Sequence, residues 1–478
     1  MAGKLSFKEK VGYGFGDFAS SMFWKIFSVY LLFFYTDVFG IPAAVVGTMF
    51  LVTRIWDTGL DPIIGIISDR TTTKWGKFRP YILFVAVPFG IVGILTFTTP
   101  SLDLSGKIIY AYITYTLMMM VYSGINVPYA SLMGVMTSNI KERTTLSTYR
   151  FVFAFAGSIL VLATAEPLVA ALSKTNSSTP DTQHGWQFAM IIYAIIAVVL
   201  FYFTFSWTRE RISPPKEQKT SLKDDLKNLA QNKPWFILLG AGVSTLIFNS
   251  LRDGSTIYYF KYYFQNQEAF QIPFTTVAIN YSTLYLVLGQ GANIVGVVLA
   301  KTISDRVGKK NTFLYAMVIA SVLSIIFFFF REDNLLLIFI FQFFISICAG
   351  IIFPLLWSMY ADIADYSEWK TGRRATGLIF SSSSMSQKLG WTLGGALTGW
   401  LLAIYGFKAN VIQSEDAQTG IRLMMSIIPA AGALLSALFI GFYKLSDSFM
   451  ITVSDELSQR RLEEENGIDN SSKDEYMI

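Results

Sequence analysis

Residues 208–233 read TRERISPPKEQKTSLKDDLKNLAQNK and form the one long polar interruption in the middle of a largely apolar chain. The stretch contains Pro214-Pro215 and charges of both signs, which is typical of a linker that runs outside the membrane, with room for a short surface helix. Apolar segments recur before and after it, separated by short polar loops. The linker therefore divides the chain into two halves of similar size.

Each half contains enough apolar segments for six membrane-spanning helices of about 20 residues. We predict all-α bundles at 1–207 and 234–443, joined by a linker at 208–233 and followed by a charged, mostly disordered tail at 444–478. The spans of the first bundle are approximately 12–36, 43–68, 80–99, 107–136, 144–173 and 186–207. Those of the second are approximately 234–263, 274–303, 312–330, 334–361, 374–404 and 422–443.

Composition supports a membrane protein and excludes several other classes. Of 478 residues, 53% are apolar and only 15% are charged, against about a quarter charged in soluble domains. The single cysteine, Cys348, excludes an internal disulfide, and the single histidine, His184, excludes a site with two histidine ligands. No nucleophile–base set or phosphate-binding loop stands out, so an enzyme is the poorest interpretation, and we expect no cofactor and no resident metal.

The distribution of basic residues predicts the orientation in the membrane. Lys and Arg are concentrated at the N-terminus, in alternate loops and in the linker, while the other loops carry few. By the positive-inside rule, both termini lie in the cytoplasm. The N-terminus also lacks the apolar region of a cleaved signal peptide. We therefore expect a multi-pass protein of the cell inner (plasma) membrane.

A short repeat links the two halves. Ser68-Asp69-Arg70 ends the second span and Ser304-Asp305-Arg306 ends the eighth, and basic residues follow both. These are corresponding positions, the connection between the second and third spans of each half. Two six-helix halves related in this way are the sequence trace of the parallel repeat in major facilitator transporters. We predict that fold.

Ionisable residues within spans are the strongest functional signal, since each needs a partner or a wet cavity. Asp57 and Asp61 are four residues apart and share one helix face. Two buried carboxylates repel each other, and binding a cation or proton between them relieves that repulsion. They are the predicted coupling site. The alternative is that they, with nearby Arg54, only tie helices together through ion pairs.

Other polar residues in the spans suggest a ligand cavity between the halves. Asp17 and Ser21 share a face of the first span, as Asn249 and Asp253 do on the seventh. Such side chains, with charged donors from elsewhere in the chain, suit a polyhydroxylated ligand. The cavity's predicted residues are Asp17, Asn126, Arg150, Asn249, Asp253 and Lys388, with Tyr122 and Tyr129 as aromatic platforms. Asn126, near the helix-breaking Pro128, is about equally well explained by a hydrogen bond that joins two helices.

Two charged segments on the predicted cytoplasmic side suggest a gate. The loop at 74–80 is basic and includes Arg79, while residues 361–374 combine acidic with basic side chains. Opposite charges at a helix end can latch one conformation and release in another. The predicted gating residues are Arg79, Asp362, Asp365, Glu368 and Arg374. The alternative is a solvated cluster whose pairs contribute less than about 1 kcal/mol each.

Several of these motifs together resemble the glycoside–pentoside–hexuronide:cation symporters, the melibiose permease group. They are Tyr13-Gly14-Phe15-Gly16, the run from Arg54 through Asp57 to Asp61-Pro62, Trp75-Gly76-Lys77-Phe78-Arg79-Pro80, and the acidic positions of 361–368. The resemblance extends over essentially all predicted spans. It implies the major facilitator fold, a sugar as substrate, and Na⁺, Li⁺ or H⁺ as the coupling ion.

The resemblance also implies roles for single residues. Asp57 and Asp61 match the family's cation-site carboxylates, and Arg150 and Lys388 match its sugar-side cations. Ser123 falls where melibiose permeases carry a cation-ligating threonine, and Asn126 falls where they carry an aspartate shared between ion and sugar. Both are therefore predicted at the cation site together with Asp57 and Asp61. The chain departs from them at Asn126 and Ser21, where they have aspartates, and at Ala130, where they have a stacking tryptophan. These departures argue against melibiose itself as substrate.

We therefore expect a symporter in which the cation and a sugar or glycoside each improve the other's binding, acting as a monomer without nucleic acid. One rival interpretation is a lysolipid or other amphiphile transporter of the same fold. Another is a non-transporting sensor or scaffold, which would need a soluble domain larger than the linker and tail.

Overall fold

The computed structural model describes residues 5–137, 140–173, 182–211, 231–265, 268–271, 278–371 and 376–465. The first half contains the helices α1 (Phe7–Phe33), α2 (Ala43–Arg70), α3 (Arg79–Thr96), α4 (Leu104–Met136), α5 (Ile140–Leu172) and α6 (Thr182–Trp207). A π-helical turn, Phe34–Val38, continues α1. Ser6 and Glu9 form a reciprocal capping box at the start of α1, which explains why the helix begins there.

The second half contains α7 (Lys233–Tyr258), α8 (Tyr281–Val307), α9 (Lys309–Phe327), α10 (Leu335–Thr371), α11 (Thr376–Ile404), α12 (Glu415–Met425), α13 (Ile427–Gly441) and α14 (Asp447–Glu465). A second π-helical turn, Tyr259–Phe264, continues α7. The antiparallel strands β1 (Glu268–Gln271) and β2 (Ala278–Asn280) lie between α7 and α8. A short 3₁₀ turn, Glu332–Asn334, precedes α10.

Ten of the helical segments in the described residues are long and apolar enough to cross a membrane, with α12 and α13 counted as one segment. Long helices also cover the other two predicted spans, α2 with 28 residues and α11 with 29. Charged residues, including Arg54, Asp57 and Asp61, lower the hydropathy of α2. The chain is thus a multi-pass helical membrane protein, and twelve remains the predicted number of spans.

The two halves pack as separate bundles that meet along a few helices. In the first bundle α1 packs along α5 and α6, and α3 packs along α4 and α6. In the second bundle α7 packs along α11 and α13, and α8 packs along α10. Between the bundles, α2 packs along α11, while α5 contacts α8 and α1 contacts α7. Glycines allow the closest approach, since Gly47 of α2 faces Gly399 of α11.

The last predicted span, 422–443, is broken into two helices at Ser426. Pro429 has no backbone N–H, so the carbonyl of Met425, four residues earlier, loses its helical partner. The guanidinium of Arg252 donates a hydrogen bond to that carbonyl instead. A side chain from α7 therefore stabilises the break.

The prediction of a mostly disordered tail is wrong for residues 447–465, which form α14. Met450, Val453 and Leu457 are buried, and α14 packs against α10. The indole Nε1 of Trp369 donates to Glu456 at 2.5 Å, and Asp447 accepts from the backbone N–H of Lys309 at 2.9 Å. Most of the predicted linker, 212–230, lies outside the described residues.

Candidate functional site

The Asp57 carboxylate is the centre of a buried charge cluster in the middle of α2, with only 1% of the side chain exposed. The Ser123 hydroxyl of α4 donates to Oδ1 of Asp57 at 2.7 Å. Nη1 of Arg54, one turn earlier on α2, donates to Oδ2 at 3.1 Å. Ser123 and Asp57 were both predicted for the cation site, and the fold brings them into direct contact.

A lysine from the opposite half joins the two predicted cation-site carboxylates. Nζ of Lys388 on α11 lies 3.2 Å from Oδ2 of Asp57 and also contacts Oδ2 of Asp61. The other oxygen of Asp61, Oδ1, is buried and has no hydrogen-bond partner among the described residues. The predicted repulsion between the carboxylates is thus relieved by an ammonium group of the protein itself.

The described residues contain no group of three or more His, Cys, Asp or Glu side chains that could hold a metal ion. The Asp57 cluster supplies two carboxylates and one hydroxyl. That donor set suits a proton or a small monovalent cation in the place of the Lys388 ammonium, because the ammonium is itself a monovalent cation that both carboxylates already contact.

A second charge cluster lies in the first bundle, where Arg150 of α5 makes a two-pronged contact with Asp17 of α1. Nε of Arg150 contacts Oδ2 of Asp17, and Nη2 lies 3.3 Å from Oδ1. The Tyr129 hydroxyl also donates to Oδ2 of Asp17, at 3.0 Å. The side chain of Arg150 remains 30% exposed and that of Asp17 13%.

A cavity lies between the halves, with lining residues from α1, α2, α4, α7 and α11. It encloses about 560 Å³, part of which is open to solvent. Two indoles and a phenol, Trp24, Tyr122 and Trp391, line it together with Arg54 and Thr392. The Arg54 guanidinium lies 5.0 Å from the centre of the Trp24 ring. Aromatic faces beside hydrogen-bonding groups are the surroundings in which sugar rings bind.

The remaining predicted ligand residues differ in how accessible they are. Tyr122 lines the cavity, whereas Tyr129 is only 1% exposed and stacks on Tyr13 at 4.8 Å. No free face of the Tyr129 ring remains, so the prediction of a stacking platform there is not supported. Among the described residues, Ser21 has no hydrogen-bond partner. Asn126 donates to the Tyr122 carbonyl of its own helix at 2.9 Å and does not join the Asp57 cluster.

Asn249 and Asp253 lie on α7 at the edge of a different cavity. The Asn249 amide donates to the Thr245 carbonyl at 3.1 Å. Asp253 accepts from Lys25 of α1 at 2.6 Å, which links the two halves.

Two of the predicted gating residues, Asp362 and Arg79, make contacts within their own halves. Asp362 binds Nζ of Lys309 at 2.7 Å within the second half. Arg79 donates to the carbonyls of Phe205 and Trp75 within the first half. Asp365 and Glu368 continue along α10 toward its end, and Arg374 lies outside the described residues. The described contacts of Asp362 and Arg79 thus lie within their own halves, and the gate stays a prediction.

Sequence reasoning missed a latch between the halves at the ends of α1 and α7. Asp37 accepts from Nζ of Lys261 at 2.7 Å and contacts the Tyr262 hydroxyl, so the two π-helical turns are joined directly. The Asn410 amide donates to the backbone carbonyl of Asp37 at 2.7 Å. Asp37 stands at the end of the first predicted span, and a charged residue at that position could have indicated a contact between the halves.

A second missed contact joins Glu166 of α5 to the start of α8. Its carboxylate accepts from the Asn280 amide at 2.6 Å and from the Ser282 hydroxyl at 2.7 Å. Glu166 is an ionisable residue within the fifth predicted span, so the rule applied to the other spans would have found it.

The arrangement of two helical bundles around a central polar cavity defines a membrane transporter of the major facilitator fold. Solved structures agree with this. A bacterial homologue of the human lysosomal transporter Spinster, in an inward-facing and unoccupied conformation, superposes with a TM-score of 0.67 at 12% identity, over 91% of this chain and 95% of that chain. The nucleoside transporter NupG superposes with a TM-score of 0.61 at 16% identity, over 91% and 99%.

The chain belongs to the MFS/sugar transport protein family, whose model matches residues 12–447. The inner membrane symporter YicJ of Escherichia coli (strain K12) is 37% identical over 95% of both chains. The putative glycoside/cation symporter YagG of the same organism is 36% identical over 96% of both. The isoprimeverose transporter of Lactiplantibacillus pentosus is 37% identical over 92% of this chain and 89% of its own. The chain is therefore a sugar–cation symporter and not an enzyme.

Proposed function

We propose that this symporter couples inward movement of Na⁺ or H⁺ to uptake of a sugar or glycoside by alternating access, with Asp57, Asp61 and Ser123 as the cation site. The observation that carries the proposal is the contact of Lys388 with both carboxylates across the interface between the halves. Two relatives, a putative glycoside/cation symporter and an isoprimeverose transporter, support the substrate class by their names.

The charge balance of the cluster explains how a cation can act on it. Two carboxylates, Asp57 and Asp61, face two cations, Arg54 and Lys388, so the cluster as it stands is neutral. A Na⁺ ion or a proton added to it would leave an uncompensated positive charge in a buried site, which is costly. Binding of the coupling cation therefore displaces Lys388 from the carboxylates.

The position of Lys388 on α11 connects this displacement to the substrate. Trp391 and Thr392, one turn further along the helix, line the aromatic cavity. An ammonium released from Asp57 and Asp61 is thus free to turn toward that cavity and donate to sugar hydroxyls. The cation then improves sugar binding, and by linkage the sugar improves cation binding to the same extent.

The Asp17–Arg150 pair is the proposed second anchor for the sugar. The exposed part of Arg150 and the bidentate geometry of a guanidinium suit recognition of neighbouring hydroxyls. Trp24, Tyr122 and Trp391 offer the apolar faces on which a sugar ring stacks. We propose Ser21 and Asn126 only as outer contacts, since neither joins the charge clusters.

The contacts between the halves support an inward-facing conformation. The Asp37–Lys261 latch and the Glu166 contact with α8 lie toward the ends of α1, α5 and α7. With both termini in the cytoplasm, as predicted, that end faces the exterior and is closed. We further propose that the functional unit in the lipid bilayer is a monomer.

Uptake into proteoliposomes tests the proposal. Purified protein is given an inward Na⁺ gradient or an inward pH gradient separately, with labelled isoprimeverose, melibiose, xylose, a glucuronide and a lysolipid as probes. We expect one gradient to drive accumulation of at least one sugar above equilibrium, and an ionophore for that cation to abolish it. Sugar that only equilibrates under both gradients, or movement of the lysolipid alone, contradicts cation-coupled sugar uptake.

A further inference from the structure

The Glu166 carboxylate of the first half lies beside the first turn of α8 in the second half. Its Oε2 accepts from the amide of Asn280, the N-cap residue, at 2.6 Å. The Ser282 hydroxyl lies 2.7 Å from Oε2 and 2.9 Å from Oε1. The first turn of α8 has no acidic residue of its own, and the Asn280 side chain makes no capping hydrogen bond. An acid from the other half thus stands where a helix favours one.

The surroundings of this carboxylate consist of hydrogen-bond donors. Besides Asn280 and Ser282, the hydroxyls of Tyr30 on α1 and Thr283 on α8 lie close enough to interact with it. Both of these hydroxyls are buried and have no hydrogen-bond partner among the described residues. None of the described Lys or Arg side chains interacts with Glu166. An amide, three hydroxyls and a helix N-terminus around one carboxylate form a site built for an anion.

The contact crosses the interface at the end where the halves separate. In the described residues α5 packs against both α8 and β2, and the Asp37–Lys261 ion pair joins α1 and α7 at the same end. With both termini in the cytoplasm, as predicted, this end faces the exterior. Opening it moves α5 away from α8, so Glu166 must exchange its partners on α8 for water.

The carboxylate differs from Asp37 in what compensates its charge. Asp37 contacts an ammonium group, that of Lys261, whereas Glu166 contacts only neutral donors and the start of a helix. Hydrogen bonds to a charged acceptor are roughly twice as strong as those between neutral groups. The charge of Glu166, and not only its shape, therefore sets the strength of this contact.

We propose that Glu166 closes the outer side of the transporter by placing its carboxylate at the N-terminus of α8, and that this contact breaks and re-forms in every transport cycle. The inference rests on the alternating access of the proposed function, and it names a positioning residue outside the cation and sugar sites.

Distances between two nitroxide labels, measured by pulsed electron paramagnetic resonance on the full-length protein in lipid nanodiscs, test this inference. The labels are attached to cysteines at Ala171 of α5 and Leu336 of α10, in a Cys348→Ala background. Both positions are exposed and lie at the outer ends of different halves. We expect Glu166→Gln to raise the ratio of the long-distance, outward-open population to the short-distance one about tenfold.

Ser282→Ala tests the same contact from the other half, because it removes a donor to Glu166 without changing a charge. We expect it to raise the ratio several-fold in the parent protein and to have no further effect in Glu166→Gln, since both substitutions remove one contact. It also keeps the inference testable should Glu166→Gln fail to fold, because an unchanged ratio in Ser282→Ala then overturns the contact's role.

Glu142→Gln is the matched control, with the same substitution in the same helix. Glu142 pairs with Lys10 of its own half at 2.9 Å, so the ratio should not change. The role of Glu166 is overturned if Glu166→Gln leaves the ratio unchanged, if Glu142→Gln raises it equally, or if the effects of Glu166→Gln and Ser282→Ala multiply.

Cation-driven sugar uptake by the parent protein, measured in proteoliposomes, separates this inference from the proposed function. Driven uptake together with an unchanged ratio in Glu166→Gln refutes the role of Glu166 alone. A raised ratio in Glu166→Gln without driven uptake in the parent supports the outer contact and refutes the coupling.

Discussion

Lys388 of α11 and Asp57 of α2 are in contact at 3.2 Å although they belong to different halves of the transporter. The same ammonium contacts Asp61, so one side chain of the second half neutralises the proposed cation site of the first. Binding or release of a cation at that site would therefore change a contact between the two halves directly. This contact offers a physical means by which cation binding can change how the two halves pack against each other.

Replacing Lys388 by alanine should separate cation binding from transport. Without the competing ammonium, Asp57 and Asp61 repel each other and bind the coupling cation more tightly, by about tenfold in the absence of sugar. Gradient-driven accumulation of sugar should be lost, because the residue that transmits cation binding to the sugar is missing. Calorimetric titration with Na⁺ and with protons measures the first effect, and proteoliposome uptake measures the second.

Lys301→Ala, at an exposed position of α8, is the control for the loss of a lysine. Cation affinity that falls in Lys388→Ala while remaining unchanged in the control would show that Lys388 supports the cation site rather than competing for it.

Neutralising Asp57 and neutralising Asp61 should lower the stability of the folded protein by different amounts. Asp57 is buried and accepts from Ser123, Arg54 and Lys388, so Asp57→Asn leaves buried cations poorly compensated and should destabilise the protein by roughly 3 kcal/mol. Asp61 is 27% exposed along its side chain, and Asp61→Asn should cost less stability. Both substitutions should abolish gradient-driven accumulation. Thermal unfolding in detergent and proteoliposome uptake measure the two properties.

Asp103→Asn is a suitable control, since Asp103 is the exposed N-cap of α4 and asparagine caps a helix equally well. Concentrative uptake at the normal level in either site variant would rule out the proposed cation site.

Arg150→Lys should weaken sugar binding while leaving the cation site intact. An ammonium keeps the charge but cannot reproduce the two-pronged contact with Asp17 or the further N–H donors of a guanidinium. We expect a loss of sugar affinity of about tenfold and no change in cation affinity without sugar. Arg211→Lys, at the pair with Glu9 near the start of α1, should leave sugar affinity unchanged; an equal loss in both variants would argue against Arg150 as a sugar ligand.

Breaking the latch at the ends of α1 and α7 should open the outer side of the transporter. Asp37→Asn removes the charge that Lys261 and Tyr262 contact, so the outward-open state should become more populated. A cysteine at Ser28, which lines the aromatic cavity, reports this in a Cys348→Ala background without other thiols. We expect an impermeant thiol reagent outside right-side-out vesicles to label it several-fold faster in Asp37→Asn.

The exchanged pair Asp37→Lys with Lys261→Asp is the test of mechanism for this latch. It should slow labelling again toward the original rate. Labelling that stays as fast as in Asp37→Asn would mean that the single substitution acts by disturbing the π-helical turn rather than by removing an ion pair.

The sequence predicted the helices and the buried acids better than it predicted their partners. Asp57 and Asp61 stand out because charges are expensive inside a span. That Lys388 neutralises them depends on the packing of α2 along α11, and no spacing along the chain reports a contact between residues so far apart in sequence. The contact of Asp362 with Lys309 in its own half likewise depends on packing that no spacing along the chain reports.

Two further misses had different causes. Gln290 and Asn293 were not singled out from the sequence, because no charged residue stands near them in α8, although both line a cavity between the helices. The disorder predicted for the tail rested on its overall polarity. The apolar stripe of Met450, Val453 and Leu457 has helical spacing, and it would have predicted α14.

The anchoring of α14 has a practical consequence for anyone who labels or purifies this symporter. Truncating the chain after residue 446, or replacing the residues beyond it by a fluorescent reporter, would remove two contacts of α14. Glu456 accepts from the Trp369 indole, and Asp447 accepts from the first backbone N–H of α9. An affinity handle attached after residue 465 leaves the whole helix in place and is the better choice.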